Sequence, residues 1–271
     1  MRNQTVLNEC NIIGKSIDPN RPTIAIIGPR FCSEYGRYIA RTWAEEIAIS
    51  RPDVQFISDM SLGVSGIAAK AALSRGNDVF VVLNCGVDVI YPEENRELYE
   101  KARTQGGIIS KLPMGTQPSP ANSNSRRKLI ADLADIILII EARRQAGSLL
   151  YADYAMSLGK EVFVVPGRIT DRLSDGTNSL LKRGATIALE VSDLFKNSNK
   201  NDIENTKVRE DIRDAICAIF RKYQDKYNIT DGGLSVPIDI EIDKNIAALA
   251  NSVSKGILYQ LELGKEEENV C

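Results

Sequence analysis

Among its 271 residues the chain contains no histidine. That absence removes Ser-His-Asp triads, Cys-His dyads, H-E-x-x-H metal sites and imidazole general bases together, so catalysis would have to rest on carboxylates, Lys, Tyr or Cys. No C-x-x-C pair occurs either. Cys10, Cys32, Cys85, Cys217 and Cys271 are dispersed, which points to neither a disulfide framework nor a zinc site, and no metal or cofactor is expected. No apolar run approaches the roughly 20 residues that a bilayer crossing needs. With no secretory leader at the start, the expectation is a cytoplasmic protein without a membrane partner. Neither sign of charge is in excess: 34 Lys and Arg against 36 Asp and Glu leave a net charge of −2, so any attraction for a polyanion must come from a local basic surface. The familiar phosphate loops are missing. "GPRFCSEYG" (28–36) and "SLGVSG" (61–66) do not have the G-x-G-x-x-G spacing, and no Walker motif is present.

With 43% apolar residues the chain can bury a full core. From 23 to about 189, short β-branched runs alternate with helix-length amphipathic stretches. Strands are predicted at 23–28, 54–57, 78–83, 107–110, 136–141, 161–166 and 186–189, with helices near 34–49, 64–75, 93–105, 124–134, 148–158 and 177–183. The runs "IILII" and "VFVV" lack two-residue alternation, as expected of strands covered on both faces. This pattern predicts an α/β fold with a doubly wound, mostly parallel sheet. The domain would span 1–195; the polar stretch 196–207 reads as a linker, and 208–271 as a small helical region resembling a degenerate winged helix.

In such a sheet, ligands collect beyond the carboxyl ends of the strands, where helix N-termini present free N–H groups. Three strand ends there combine arginine with glycine: Gly28 and Arg30 after the first strand; Arg143, Arg144, Gly147 and Ser148 after the fifth; Arg168 and Arg172 before Gly176 after the sixth. "SRRK" adds Arg126, Arg127 and Lys128. Guanidinium forks match phosphate oxygens, and glycine admits close backbone approach, so the pattern suits a polyphosphate or a nucleic-acid backbone. Each arginine alone reads as a solvated charge; their gathering at one sheet edge carries the inference. Glu141, at a strand end without a second carboxylate, is read as an arginine partner before a catalytic acid.

Four ordered stretches, "LNCGVDVIYPEEN" (83–95), "GGIISKLPMGTQP" (106–118), "IIEARRQAGSLLYADYAMSLGKEVFVVPG" (139–167) and "SDGTNSLLKRGA" (174–185), resemble the DNA-processing protein A (DprA/Smf) family. The resemblance covers about 23–190 and implies a Rossmann-like domain that binds single-stranded DNA and self-associates as a homodimer. It also implies assistance to loading of the RecA recombinase in natural transformation, with no enzymatic step. Carried over by motif, Arg30 stands at the arginine of a Gly-Ser/Thr-Arg turn, Arg126 and Lys128 at the arginines of an Arg-Asn-Arg motif, and Gly147 and Ser148 at a Ser-Gly-Ser turn.

The departures are local. Asp59, Leu62 and Ser65 stand where the family has a glycine, an arginine and an acid, while Gly63 keeps a second glycine. Ser123 replaces an aromatic before Arg126, so the expectation is either a lower DNA affinity than in typical members or stacking on bases by Phe31 or Tyr35 instead. Two alternatives remain open. One is a nucleoside-monophosphate phosphoribohydrolase of the lysine-decarboxylase-like group, whose Pro-Gly-Gly-x-Gly-Thr signature is absent from "EARRQAGSLLYAD". The other is a nucleotide-binding sensor module.

Overall fold

A computed structural model describes residues 2–198. The expected helical region at 208–271, and the expected linker from 199 onward, lie outside the described residues. A short helix α1 (Arg2–Leu7) and strand β1 (Asn11–Gly14) precede β2 (Thr23–Ile27), α2 (Glu34–Ser50), β3 (Gln55–Ser58), α3 (Val64–Ser74) and β4 (Val79–Val82). A 3-10 turn (Glu93–Asn95) leads into α4 (Arg96–Gln105), followed by β5 (Gly107–Ser110), α5 (Ser123–Leu133) and β6 (Ile136–Ile139). Then come α6 (Leu149–Ser157), β7 (Glu161–Val164), α7 (Asp175–Lys182), β8 (Thr186–Ile187) and 3-10 turns over Val191–Ser198, which take in the first positions of the expected linker.

The eight strands run in the order β1-β5-β4-β3-β2-β6-β7-β8. All pairings are parallel except that of β1 with β5. The predicted doubly wound α/β sheet is therefore present, with an antiparallel edge strand that sequence reading missed. "NIIG" is only four residues long and partly exposed, so it offers no long apolar run to detect.

Successive strand residues feed two separate cores. Ile24 and Ile26 of β2, with Ile136 and Leu138 of β6, pack under α2, α3 and α4. Ala25, Ile27, Ile137 and Ile139 pack under α5, α6 and α7 on the opposite face. The continuous apolar runs follow from this: every residue of β2, β4 and β6 is buried, whichever way it points. Helix α2 forms because Ile39, Ala40, Trp43, Ala44, Ile47 and Ala48 recur at helical spacing, and because Ser33 caps it by accepting the Gly36 N–H at 3.0 Å.

The chain winds outward from β2 through β3, β4 and β5, then returns to the other side of β2 with β6, β7 and β8. The β2/β6 seam is thus the switch point, where loops leaving neighbouring strands diverge to opposite faces and open a crevice. Its far end is closed by a clamp. The Asp135 carboxylate accepts from the Thr23 N–H at 2.9 Å and from its hydroxyl at 2.8 Å.

Candidate functional site

At the carboxyl end of that seam, the loop after β2 faces the loop after β6 across a cleft of about 160 Å³. Its walls include Gly28, Pro29 and Arg30 from the first loop, Ala146, Gly147 and Ser148 from the second, and Arg126 and Arg127 from α5. Six residues singled out in the sequence therefore meet at one place: Gly28, Arg30, Arg126, Arg127, Gly147 and Ser148. Four others do not line it. Gly63 caps α3, and Arg143 and Arg168 are exposed in the loops after β6 and β7. Lys128 sits with its ammonium 5.3 Å from the centre of the Tyr154 ring, a cation–π contact on the outer side of α5 and α6.

Glycine is required where the loops crowd together. A Cβ on Gly28 would lie 2.5 Å from Val64, and one on Gly147 would lie 2.9 Å from the Arg127 guanidinium. Gly63 has φ of 77° and stands against the carbonyls of Pro29 and Arg30, so it sets the loop that carries Arg30. Met60 and Gln145, at φ of 58° and 65°, hold the left-handed conformation without being glycine, one in the segment that carries Asp59 and one in the loop that carries Gly147.

The floor of the cleft is a buried ionic network that the sequence reading did not anticipate. The Asp59 carboxylate accepts from the Ser61 N–H at 3.0 Å, the Ser61 hydroxyl at 2.6 Å and the Tyr151 hydroxyl at 2.6 Å. Arg126 pairs with it at 3.4 Å and donates a second bond to the Asp59 carbonyl at 3.0 Å. Burial alone would push the Asp59 carboxyl up; the Arg126 charge and the hydrogen bonds from Ser61 and Tyr151 outweigh it and hold the carboxyl below its ordinary value. Tyr151 is driven up by burial and by the Asp59 charge, so it stays a neutral donor.

Arg126, matched by resemblance to a phosphate-binding position, is only 6% exposed and already carries a counter-ion. The available signal was Asp59 itself, an acid replacing a glycine. Tyr151 is the tyrosine that α6 buries, and local spacing alone does not set it apart from the nearby Tyr154.

Glu141 lies two residues beyond the end of β6 and is buried. Among the described residues it pairs with no arginine: its carboxylate accepts the Ser33 N–H at 3.0 Å and the Ser33 hydroxyl. It presses on Gly36, where a Cβ would collide with it. Glu141 therefore ties the β2–α2 loop to the β6–α6 loop across the seam.

Three buried donor atoms at the cleft have no protein partner: Arg126 Nε, Arg127 Nε and Ser148 Oγ. Leaving such groups dry and unpaired costs about 1–3 kcal/mol each. With Arg30 exposed at the rim, the lining carries three guanidiniums against the single carboxylate of Asp59. That arrangement accepts an anion with several oxygens. Among the described residues no cluster of His, Cys, Asp or Glu could hold a metal ion, and no helix is long and apolar enough to cross a membrane.

A family model described as DNA recombination-mediator protein A matches residues 12–199. The chain belongs to the DNA recombination-mediator protein A family. Among curated relatives in that family, the DNA processing protein DprA of Streptococcus pneumoniae is 31% identical over 174 residues, covering 64% of this chain and 61% of the relative. Protein Smf of Escherichia coli is 33% identical over 175 residues, covering 64% of this chain and 46% of the relative. The matched stretch thus spans less than two thirds of these family members. In three dimensions the crystal structure of the Streptococcus pneumoniae protein superposes with a TM-score of 0.65 at 28% identity, covering 70% of this chain and 69% of that one. DNA processing protein A of Helicobacter pylori, solved to describe its single-stranded DNA binding mode, superposes with a TM-score of 0.62 at 28% identity, covering 71% and 87%.

Proposed function

We infer that this protein binds unpaired DNA by its phosphates at the β2/β6 cleft, without sequence readout and without a catalytic step. In this reading it serves recombination in the cytoplasm as a homodimer, holding incoming single strands and assisting loading of the RecA recombinase during natural transformation. The observation that carries the reading is the convergence of Arg30, Arg126, Arg127 and Ser148 on one cleft with donor atoms left unpartnered. Phosphate oxygens supply the acceptors that these donors lack, and Arg30 supplies an exposed cation at the mouth. Family membership and the single-stranded DNA binding of the Helicobacter pylori relative support the same reading. The one cleft carboxylate, Asp59, is engaged by Ser61, Tyr151 and Arg126, and Glu141 in the loop beside the cleft is engaged by Ser33, which favours holding a ligand over transforming it.

The test is fluorescence anisotropy with oligo-dT across a salt series. Affinity should fall with log salt at a slope of about −0.7 per phosphate neutralised. The double variant Arg30→Ala with Arg127→Ala should weaken binding and flatten that slope by about 0.7 per lost contact. An unchanged slope in the double variant would remove the cleft from the binding surface. Lys128→Ala, off the cleft, should alter affinity much less.

A further inference from the structure

The unpartnered donors of the β2/β6 cleft come from two elements: Arg126 Nε and Arg127 Nε from α5, and Ser148 Oγ from the start of α6. Ser148 stands where a serine ordinarily caps its helix, yet its hydroxyl makes no capping bond. Arg127 is steadied from its other side, where its terminal nitrogen donates to Asn124 Oδ1 at 2.7 Å. Ser148 and Arg126 are only 9% and 6% exposed, so they form the base of the cleft, while Arg30 is open at its mouth. The charge is as specific as the donor set. Arg30, Arg126 and Arg127 against Asp59 leave an excess of two positive charges. Both Asp59 oxygens are already taken, by Ser61, Tyr151 and Arg126.

An internal phosphodiester answers this arrangement poorly. It carries one negative charge and two free oxygens, and the sugars on both sides keep it lying along a surface. A phosphate monoester carries nearly two negative charges at neutral pH and three acceptor oxygens. It also has a single tether, so it enters a recess end-on. We propose that the cleft holds the phosphate monoester at the end of a DNA single strand, its three terminal oxygens shared among Arg126, Arg127 and Ser148, with the following phosphodiester passing Arg30 at the mouth. The proposal rests on the reading of the cleft as a phosphate site and specifies which phosphate of the strand is seated there.

The experiment uses the full chain and one length of oligo-dT with hydroxyls at both ends, with a 5′-phosphate or with a 3′-phosphate, in a phosphate-free buffer. The wild type should bind a phosphorylated form about tenfold tighter than the hydroxyl-ended strand, the effect of one further charge-assisted hydrogen bond. Arg127→Gln and Ser148→Ala should each cut that ratio to about threefold or less. The charged and titratable groups of the lining are Arg30, Arg126, Arg127, Asp59 and Tyr151, and the chain has no histidine. Burial raises the Asp59 carboxyl, but Arg126 and the hydrogen bonds outweigh it and keep it low, and burial pushes Tyr151 up. The group that titrates near pH 6 is then the monoester itself, so the ratio should shrink about threefold between about pH 7.5 and 5.5. Thymidine 5′-monophosphate should compete less well than the phosphorylated strand; equal competition would assign the cleft to a free nucleotide and overturn the strand-end reading. Equal affinity for hydroxyl-ended and phosphorylated strands, or a preference that survives both substitutions, overturns the end site while phosphate binding stands. Absence of salt-dependent binding to any strand overturns both.

Discussion

At the level of single residues, Asp59 decides more than any cation around it. Without it, Arg126 would be an uncompensated charge under the cleft; with it, the guanidinium is fixed in place and only its Nε is left without a partner. Tyr151 completes the carboxylate's hydrogen bonding. Tyr151→Phe keeps the ring and removes only the hydroxyl, so it should destabilise the fold by about 1–3 kcal/mol. Urea unfolding followed by the emission of Trp43, the sole tryptophan and a buried one, measures this directly. The sequence made Arg30, Gly147 and Ser148 legible, because arginine and glycine recur together after several strands at the same sheet edge. It did not disclose that Arg126 is internally neutralised: that depends on a contact between residues 67 positions apart. Burial of a long cationic side chain leaves no trace in local periodicity.

At the level of elements, the central strands were readable because parallel strands covered on both faces must be apolar throughout. What escaped was β1, whose pairing with β5 gives it an edge position and only partial burial. The helix expected at 93–105 is a 3-10 turn followed by α4, since Pro92 and the acidic pair after it open the segment before regular helical packing through Leu98, Tyr99 and Ala102 takes over. The difference between central and edge strands sets a graded expectation. Ile137→Ala, at the fully buried centre of β6, should cost about 2–5 kcal/mol. Ile187→Ala, on the exposed edge strand β8, should stay within about 0.5 kcal/mol. Matched urea midpoints for the two variants would contradict the assigned sheet order.

For the whole molecule, the decisive quantity is how little net charge it carries. At −2 the protein exerts no general attraction on nucleic acid, so the DNA binding proposed above would depend on the local cleft and should respond sharply to its few cations. The same arrangement governs acid sensitivity. Asp59 and Asp78 both have carboxyls held below the ordinary value: burial raises each, and Arg126 with the Ser61 and Tyr151 hydrogen bonds, or Lys15 and Arg21, overcome it. A depressed folded-state value means stability that is fully present above the ordinary carboxylate range and is lost as pH falls through the folded-state value. The urea midpoint should therefore hold from about pH 7 to 5 and fall below about pH 4. Asp78→Asn should lower it at neutral pH and narrow the difference between neutral and acid conditions.

The bond between Ser33 and Glu141 joins the two lips of the cleft although they are encoded 108 positions apart. A strand lodged there would act as a cross-brace between the outbound and returning halves of the sheet. On the proposed DNA-binding reading, occupancy and sheet integrity form one equilibrium, in which bound DNA should raise the melting temperature of the domain and loosening of the seam should release it.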